Sequence, residues 1–209
     1  MKNILLIHSF LALNLTAAAQ ITGPTMQQQD HNVSSYAFAP NAGIGIKGGV
    51  NFSNIRGSDT GNLGNTSGHT NFHAGVFAQF PIGDHFSVQP EVLYSRKGYE
   101  LNDAIFRFDY LELPVLAAYN ITNHISVHAG PQVGIMLSAK EEGKEVDLEP
   151  YNTFDYGVAA GIEGHFSRYR IGARYNLHFA DLRSQDLNGN NINEDIKHRV
   201  AHIYVGVSF

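Results

Sequence analysis

Eight charged residues stand out because they share the sparse, polar side of a pattern that alternates apolar and polar positions: Lys47, Lys97, Arg170 and Arg174 against Glu91, Glu112, Asp155 and Glu163. Paired carboxylates can act as general acid and base, and a carboxylate beside a histidine can activate a serine. His73, His128 and His165 fall on the same side, yet the spacing implies no Ser/His/acid set. The other chemistry open to opposite charges on one confined face is mutual neutralisation, because an uncompensated ion away from water is costly. If Phe166 faces Tyr169 across a two-residue turn, Glu163 lies opposite Gly172 and diagonal to Arg170 and Arg174, within reach of a long side chain. Four charges of each sign then leave that face neutral.

The stretch DLNGNNINED, residues 186–195, invites a calcium reading because Asp186, Asn188 and Asn190 alternate. Asn191 stands where the calcium loop of a helix–loop–helix site needs glycine, and no glutamate follows at the twelfth position. A hydrophilic turn-rich link is the better reading, and KEEGKEVDLE, residues 140–149, is read the same way. No catalytic residue, metal ligand or cofactor is assigned.

The elements that carry these residues are strands. In GIGIKGGVNF, Ile44, Ile46, Val50 and Phe52 alternate with Gly45, Lys47, Gly49 and Asn51. The same period of two recurs in NFHAGVFAQF, HFSVQPEVLYS, YLELPVLAAY, HISVHAGPQVGIML, DYGVAAGIEGHF, YRIGARYNL and HIYVGVSF, making eight segments. Short links at 81–84, 120–123 and 167–168 alternate with longer polar ones at about 53–68, 98–104, 138–152 and 181–197. The long links carry formal charges of 0, −2, −3 and −2, which could draw divalent cations between protein and lipopolysaccharide.

The first 19 residues, with Lys2, an apolar run and Ala17 to Ala19, have the layout of a secretory signal peptide. A membrane anchor is the rival, but His8, Ser9 and Asn14 interrupt a run already short of the ~20 apolar residues a spanning helix needs. Residues 20–41, rich in Gln, Thr, Ser and Pro, read as a flexible periplasmic lead-in, and residues 42–209 as the strand domain. The chain has no cysteine, so an exported fold has no disulfides to lean on. Its net charge of −5 lacks the clustered basic surface that nucleic acid requires. No later apolar run is long enough for a membrane helix, so entry into a bilayer would need a closed barrel.

Eight alternating strands also suit a soluble barrel with its apolar side inward. The polar side decides against that, since it is rich in glycine and almost free of lysine, whereas a soluble exterior mixes abundant charges. The apolar side also gathers Phe80, Phe86, Tyr119, Phe166, Tyr169 and Phe209 beside the short links, with Tyr94, Tyr156 and Phe52 toward the long ones. Two aromatic belts are expected of a membrane barrel. Val127, on the outward side, is expected near the bilayer midplane. The run Val205, Val207, Phe209 is similar to the strip by which outer-membrane barrels are recognised for assembly.

GIKGGVNFSNI, FSVQPEVLYSRKGYE and DYLELPVLAAYNI resemble the PorT-like outer-membrane β-barrel family of Gram-negative bacteria, over residues 44–209. The resemblance implies an eight-stranded barrel, and most members have no assigned activity. The expectation is an all-β, antiparallel, up-and-down transmembrane β-barrel in the outer membrane. Eight strands enclose a lumen that side chains can fill. The role expected is structural or surface-interaction, in contact with outer-membrane lipids and lipopolysaccharide and with the barrel-assembly machinery, as a monomer. A narrow pore or an accessory part of a secretion or uptake machine is the alternative, and a lipid-modifying enzyme the third.

Overall fold

A computed structural model of the chain describes residues 43–62, 66–102, 104–146, 148, 151–183 and 195–209. The expected signal peptide and lead-in, 1–41, and most of the 186–195 stretch lie outside these. The strands are β1 (Gly43–Arg56), β2 (Thr66–Pro81), β3 (Phe86–Leu101), β4 (Ala104–Asn120), β5 (Ile125–Glu141), β6 (Lys144–Val146), β7 (Phe154–Phe166), β8 (Tyr169–His178) and β9 (Lys197–Ser208). All pair antiparallel, β1 with β9 and β4 with β5 included, so eight strands close into a barrel and the three-residue β6 forms a hairpin with the end of β5 outside the circle. Closure leaves no wall strand with an unpaired edge.

Alternation fixes the facing. Ile44, Ile46, Val76, Val115, Ile171 and Val205 are exposed on the outer wall, while Asn51, Gln89, Gln132 and Asn176 are buried in the lumen. Within a bilayer every backbone group is paired by the ladder and the outer side chains meet hydrocarbon. Phe86 and Tyr119 face each other in register with rings 4.9 Å apart, and Phe166 pairs with Tyr169, so aromatic residues of neighbouring strands stand opposite each other at the short-link rim. At the other rim Phe72 meets Tyr94, and Tyr156 lies between Phe154 and Phe179. Val127 stands opposite Tyr119, which places it at belt level rather than at the midplane. Val115, between Tyr119 and the Leu111–Tyr94 pair along β4, holds the mid-wall position.

Three of the expected long links are shorter than their polarity suggested. β1 continues to Arg56, β3 and β4 run to Leu101 and Ala104, and residues 138–152 include the end of β5 and its hairpin with β6. The reason is that the wall continues past the aromatic belts. Beyond the belt the outward positions need no apolar side chain, and Arg96, Asp109 and Lys140 take them, with the Arg96 guanidinium donating to both carboxylate oxygens of Asp109 at 2.6 and 3.0 Å. The inner side of this extension is apolar instead: Ile55, Tyr99, Phe108, Met136, Ala139, Leu182 and Ile196 form one buried cluster over the lumen. Along β3 and β4 the parity of inward and outward residues is constant while the polarity of each side inverts beyond the belt; on β5 a register shift opposite Asp109 and Tyr110 resets the parity, so that Met136 and Ala139 both lie in the inner cluster.

Candidate functional site

The lumen holds two groups of charges, one toward the short links and one beneath the apolar cluster. In the first, Glu91 of β3 lies between Lys47 of β1 and Arg174 of β8. Lys47 Nζ donates to Glu91 Oε1 at 2.8 Å, and Arg174 grips both oxygens, Nη2 to Oε1 at 2.7 Å and Nη1 to Oε2 at 2.8 Å. Gln89 Nε2 donates to Oε1 as well, at 2.7 Å. A two-pronged guanidinium–carboxylate contact is the strongest ordinary ion-pair geometry. Arg170 donates through Nη1 to Glu163 Oε1 at 3.1 Å and to Gln79 Oε1 at 2.7 Å, and through Nε to Ser208 Oγ at 2.8 Å.

Glu163 lies opposite Gly172 in the β7–β8 ladder. Arg170 reaches it along the diagonal, whereas Arg174 turns away across the lumen to Glu91. The space over Gly172 is taken by the ring of Tyr204 from β9, whose hydroxyl donates to Glu163 Oε2 at 2.8 Å and whose face lies 4.1 Å from Lys47 Nζ. A Cβ at Gly172 would stand 2.4 Å from Tyr204 Cζ and Oη. Gly172→Ala is therefore expected to push the ring off both partners and to cost about 1–3 kcal/mol, the usual range for overpacking, read from urea unfolding in detergent micelles followed by circular dichroism. An unchanged midpoint would show that the ring has room elsewhere.

The second group centres on Lys97 of β3, whose Nζ lies 2.7 Å from Glu112 Oε1 and 3.1 Å from Asp155 Oδ2. His178 Nδ1 is 2.6 Å from the same Asp155 oxygen, and Lys97 Nζ is 4.0 Å from the centre of the Tyr110 ring. The neutrality of the eight charges is thus divided. Three cations face two carboxylates in the first group, and one cation faces two in the second. His73 and His202 stack at 4.4 Å, and His73 Nδ1 lies 2.6 Å from Asn51 Oδ1.

A serine, a histidine and an acid do meet in the wall, although no spacing announced them. Ser126 lies opposite Glu163 in the β5–β7 ladder, and Ser126 Oγ is 2.9 Å from His165 Nε2. Glu163 Oε1 approaches the same nitrogen, at 3.6 Å. A nucleophilic triad needs the acid on one ring nitrogen and the hydroxyl on the other, and all three side chains are buried, so this arrangement orients a hydrogen-bond network and does not activate Ser126. Among the described residues no cluster of three or more His, Cys, Asp or Glu has the geometry to hold a metal ion.

Sequence reasoning named all eight lumen charges and missed the aromatic seats on which their cations rest: Tyr204 and Phe77 for the first group and Tyr110 for the second. Their signal was present, since a large ring on the inward parity of a glycine-rich face has to pack against something. Phe80, Phe86, Tyr119, Phe166, Tyr169 and Phe209 all lie exposed on the outer wall at one rim, and Val205 is exposed on the same wall farther from that rim; the Phe209 N–H donates to Ile44 O at 2.8 Å, continuing the β1–β9 ladder beyond Val207.

A family model described as outer membrane protein beta-barrel domain matches residues 27–183. Among solved structures, Neisserial surface protein A is similar with a TM-score of 0.57 at 14% identity, over 80% of this chain and 98% of that one. Ail, the attachment invasion locus protein of Yersinia pestis, is similar with a TM-score of 0.49 at 12% identity, over 80% of this chain and 99% of Ail. Outer membrane protein W of E. coli gives a TM-score of 0.43 at 12% identity, over 80% and 98%. No curated protein matches the sequence. At these identities the likeness is one of fold.

Proposed function

Because the chain belongs to the outer membrane protein β-barrel domain family, we propose that it is an integral barrel of the Gram-negative outer membrane, closed to solutes, with a structural or surface-interaction role and no catalytic one. The narrower PorT-like identity rests on the residues that resemble that family. In this reading the short links face the periplasm, the polar extension faces outward among lipopolysaccharide, the barrel works as a monomer, and the outward strip Val205, Val207 and Phe209 meets the assembly machinery.

The observation that carries the reading is the double closure of the lumen. Charges cross-linked between opposite walls occupy one level, and the cluster of Tyr99, Phe108, Met136 and Leu182 covers another. Buried and hydrogen-bonded ion pairs tie the walls together and oppose a continuous water column. Purified protein in planar lipid bilayers is accordingly expected to show no steady conductance. Stable ion-selective current steps from the unmodified protein would overturn the reading in favour of a narrow pore.

A further inference from the structure

Glycine weakens a strand interior and is explained there when something approaches too closely for a side chain. Gly172 meets that condition. Gly48 and Gly164 do not: a Cβ at Gly48 would come no nearer than 3.4 Å to His73 O and 3.8 Å to Ala74 Cβ, and one at Gly164 no nearer than 3.4 Å to Phe166. Nothing in the barrel itself demands a missing side chain at either place. Both glycines line apolar grooves on the outer wall, of about 770 Å³ at Gly48 and about 610 Å³ at Gly164, and Phe166 and Ile171 border both.

The Gly48 groove runs from Phe166 and Tyr169 at the short-link rim to the middle of the wall, where Gly48 pairs with Ala74 on one side and Val205 on the other. It therefore opens at the short-link rim and reaches across β8 and β9 to β1 and β2. At its rim, in the two-residue turn between Phe166 and Tyr169, stands the exposed Arg168, whose guanidinium makes no ion pair among the described residues. A groove that is apolar along its length, with an exposed arginine in the turn that joins its rim residues Phe166 and Tyr169, is complementary to a molecule with an apolar tail and an anionic head. A second barrel presents a convex wall, which would bridge the groove without entering it.

We infer that the Gly48 groove is a binding site for an anionic phospholipid of the leaflet beside the short links, one acyl chain lying over Gly48 and Ala74 and the phosphate at Arg168. The inference rests on the membrane reading above. Missing side chains make room for the chain, and the aromatic rim of Phe166 and Tyr169 holds the glycerol level, where amphipathic rings are favoured.

The test uses the full chain inserted in bilayers of equal parts phosphatidylglycerol and phosphatidylethanolamine, extracted in mild detergent and weighed by native mass spectrometry. One retained phospholipid per chain is expected, with phosphatidylglycerol favoured. Gly48→Leu and, separately, Ala74→Leu should each reduce retention about tenfold, and Arg168→Gln should abolish the headgroup preference while a lipid stays bound. Ala117→Leu, which adds the same apolar bulk to the outer side of β4, should change neither. Undiminished retention in both groove variants would overturn the site, a preference that survives Arg168→Gln would overturn the phosphate contact, and a dimer mass that vanishes in Gly48→Leu would assign the groove to a second copy. Failure of the unmodified chain to insert, seen as absence of heat-modifiable gel migration, would instead overturn the membrane reading itself.

Discussion

Glu91→Ala is expected to destabilise the folded barrel by about 3–5 kcal/mol, the cost of leaving a buried ion without its partner. Two cations lose their carboxylate at once. Arg174 forfeits both prongs of its contact, and Lys47 is left with the faces of the Tyr204 and Phe77 rings. Both cations are buried, away from bulk solvent, and the loss is a large share of the 5–15 kcal/mol that holds a typical domain folded. Glu91→Gln, which retains hydrogen-bonding capacity without the charge, should fall between the variant and the parent. Glu145, exposed beside Lys140, supplies the control, because its replacement by alanine should move stability by no more than ~0.5 kcal/mol. Urea unfolding in detergent micelles, read by far-UV circular dichroism, measures all three. Equal midpoints for Glu91→Ala and Glu145→Ala would mean that the lumen ions are solvated, contrary to the closed interior.

The second large effect lies on the other side of the wall. Val115→Arg places a cation at mid-wall, between the two aromatic belts, where a lipid-facing arginine costs about 2–4 kcal/mol. Val127→Arg, on the same outer surface but opposite Tyr119, needs only a short reach to the headgroups, and at that depth the cost falls to ~0–1 kcal/mol. The contrast between the two is the informative quantity, since both exchange an exposed valine for arginine. Heat-modifiable migration after refolding into lipid vesicles should be strongly reduced for the first and nearly intact for the second. If both assemble equally well, the outer surface does not face hydrocarbon.

Facing was readable between the two belts because period two registers at every residue there: Glu112 inward fixes Tyr110 inward and Leu111 outward without knowledge of any partner, and alternation fails past Leu137 of β5, where a register shift intervenes. Pairing across the lumen was not readable. A ladder diagonal linked Glu163 to Arg174, whereas Arg174 reaches along a chord to Glu91 on β3, and a chord depends on the curvature of the closed wall. The meeting of Ser126, His165 and Glu163 was hidden for a related reason, because it follows from β5 pairing with β7 past the small β6. The extended ends were misjudged through polarity. Tyr99 and Phe108 keep the inward parity of Lys97 and Tyr110, but with water outside and an apolar cluster inside, a search for outward apolar residues stops at the belt.

Arg96 and Asp109 also bear on how the barrel reaches its place. If the short links lie in the periplasm, as proposed, the outer ends of β3 and β4 travel through the hydrocarbon layer during insertion, and these two residues travel with them. Crossing singly, each strand would expose a full charge to lipid, which is expensive. A β3–β4 hairpin that has formed before it crosses carries the two as one hydrogen-bonded, neutral unit, further shielded by the Tyr94 hydroxyl and by Ser138 once β5 joins. The ion pair thus favours a route of entry by hairpins over one by single strands, and what reads in the finished barrel as a surface contact is, during biogenesis, a passport across the bilayer.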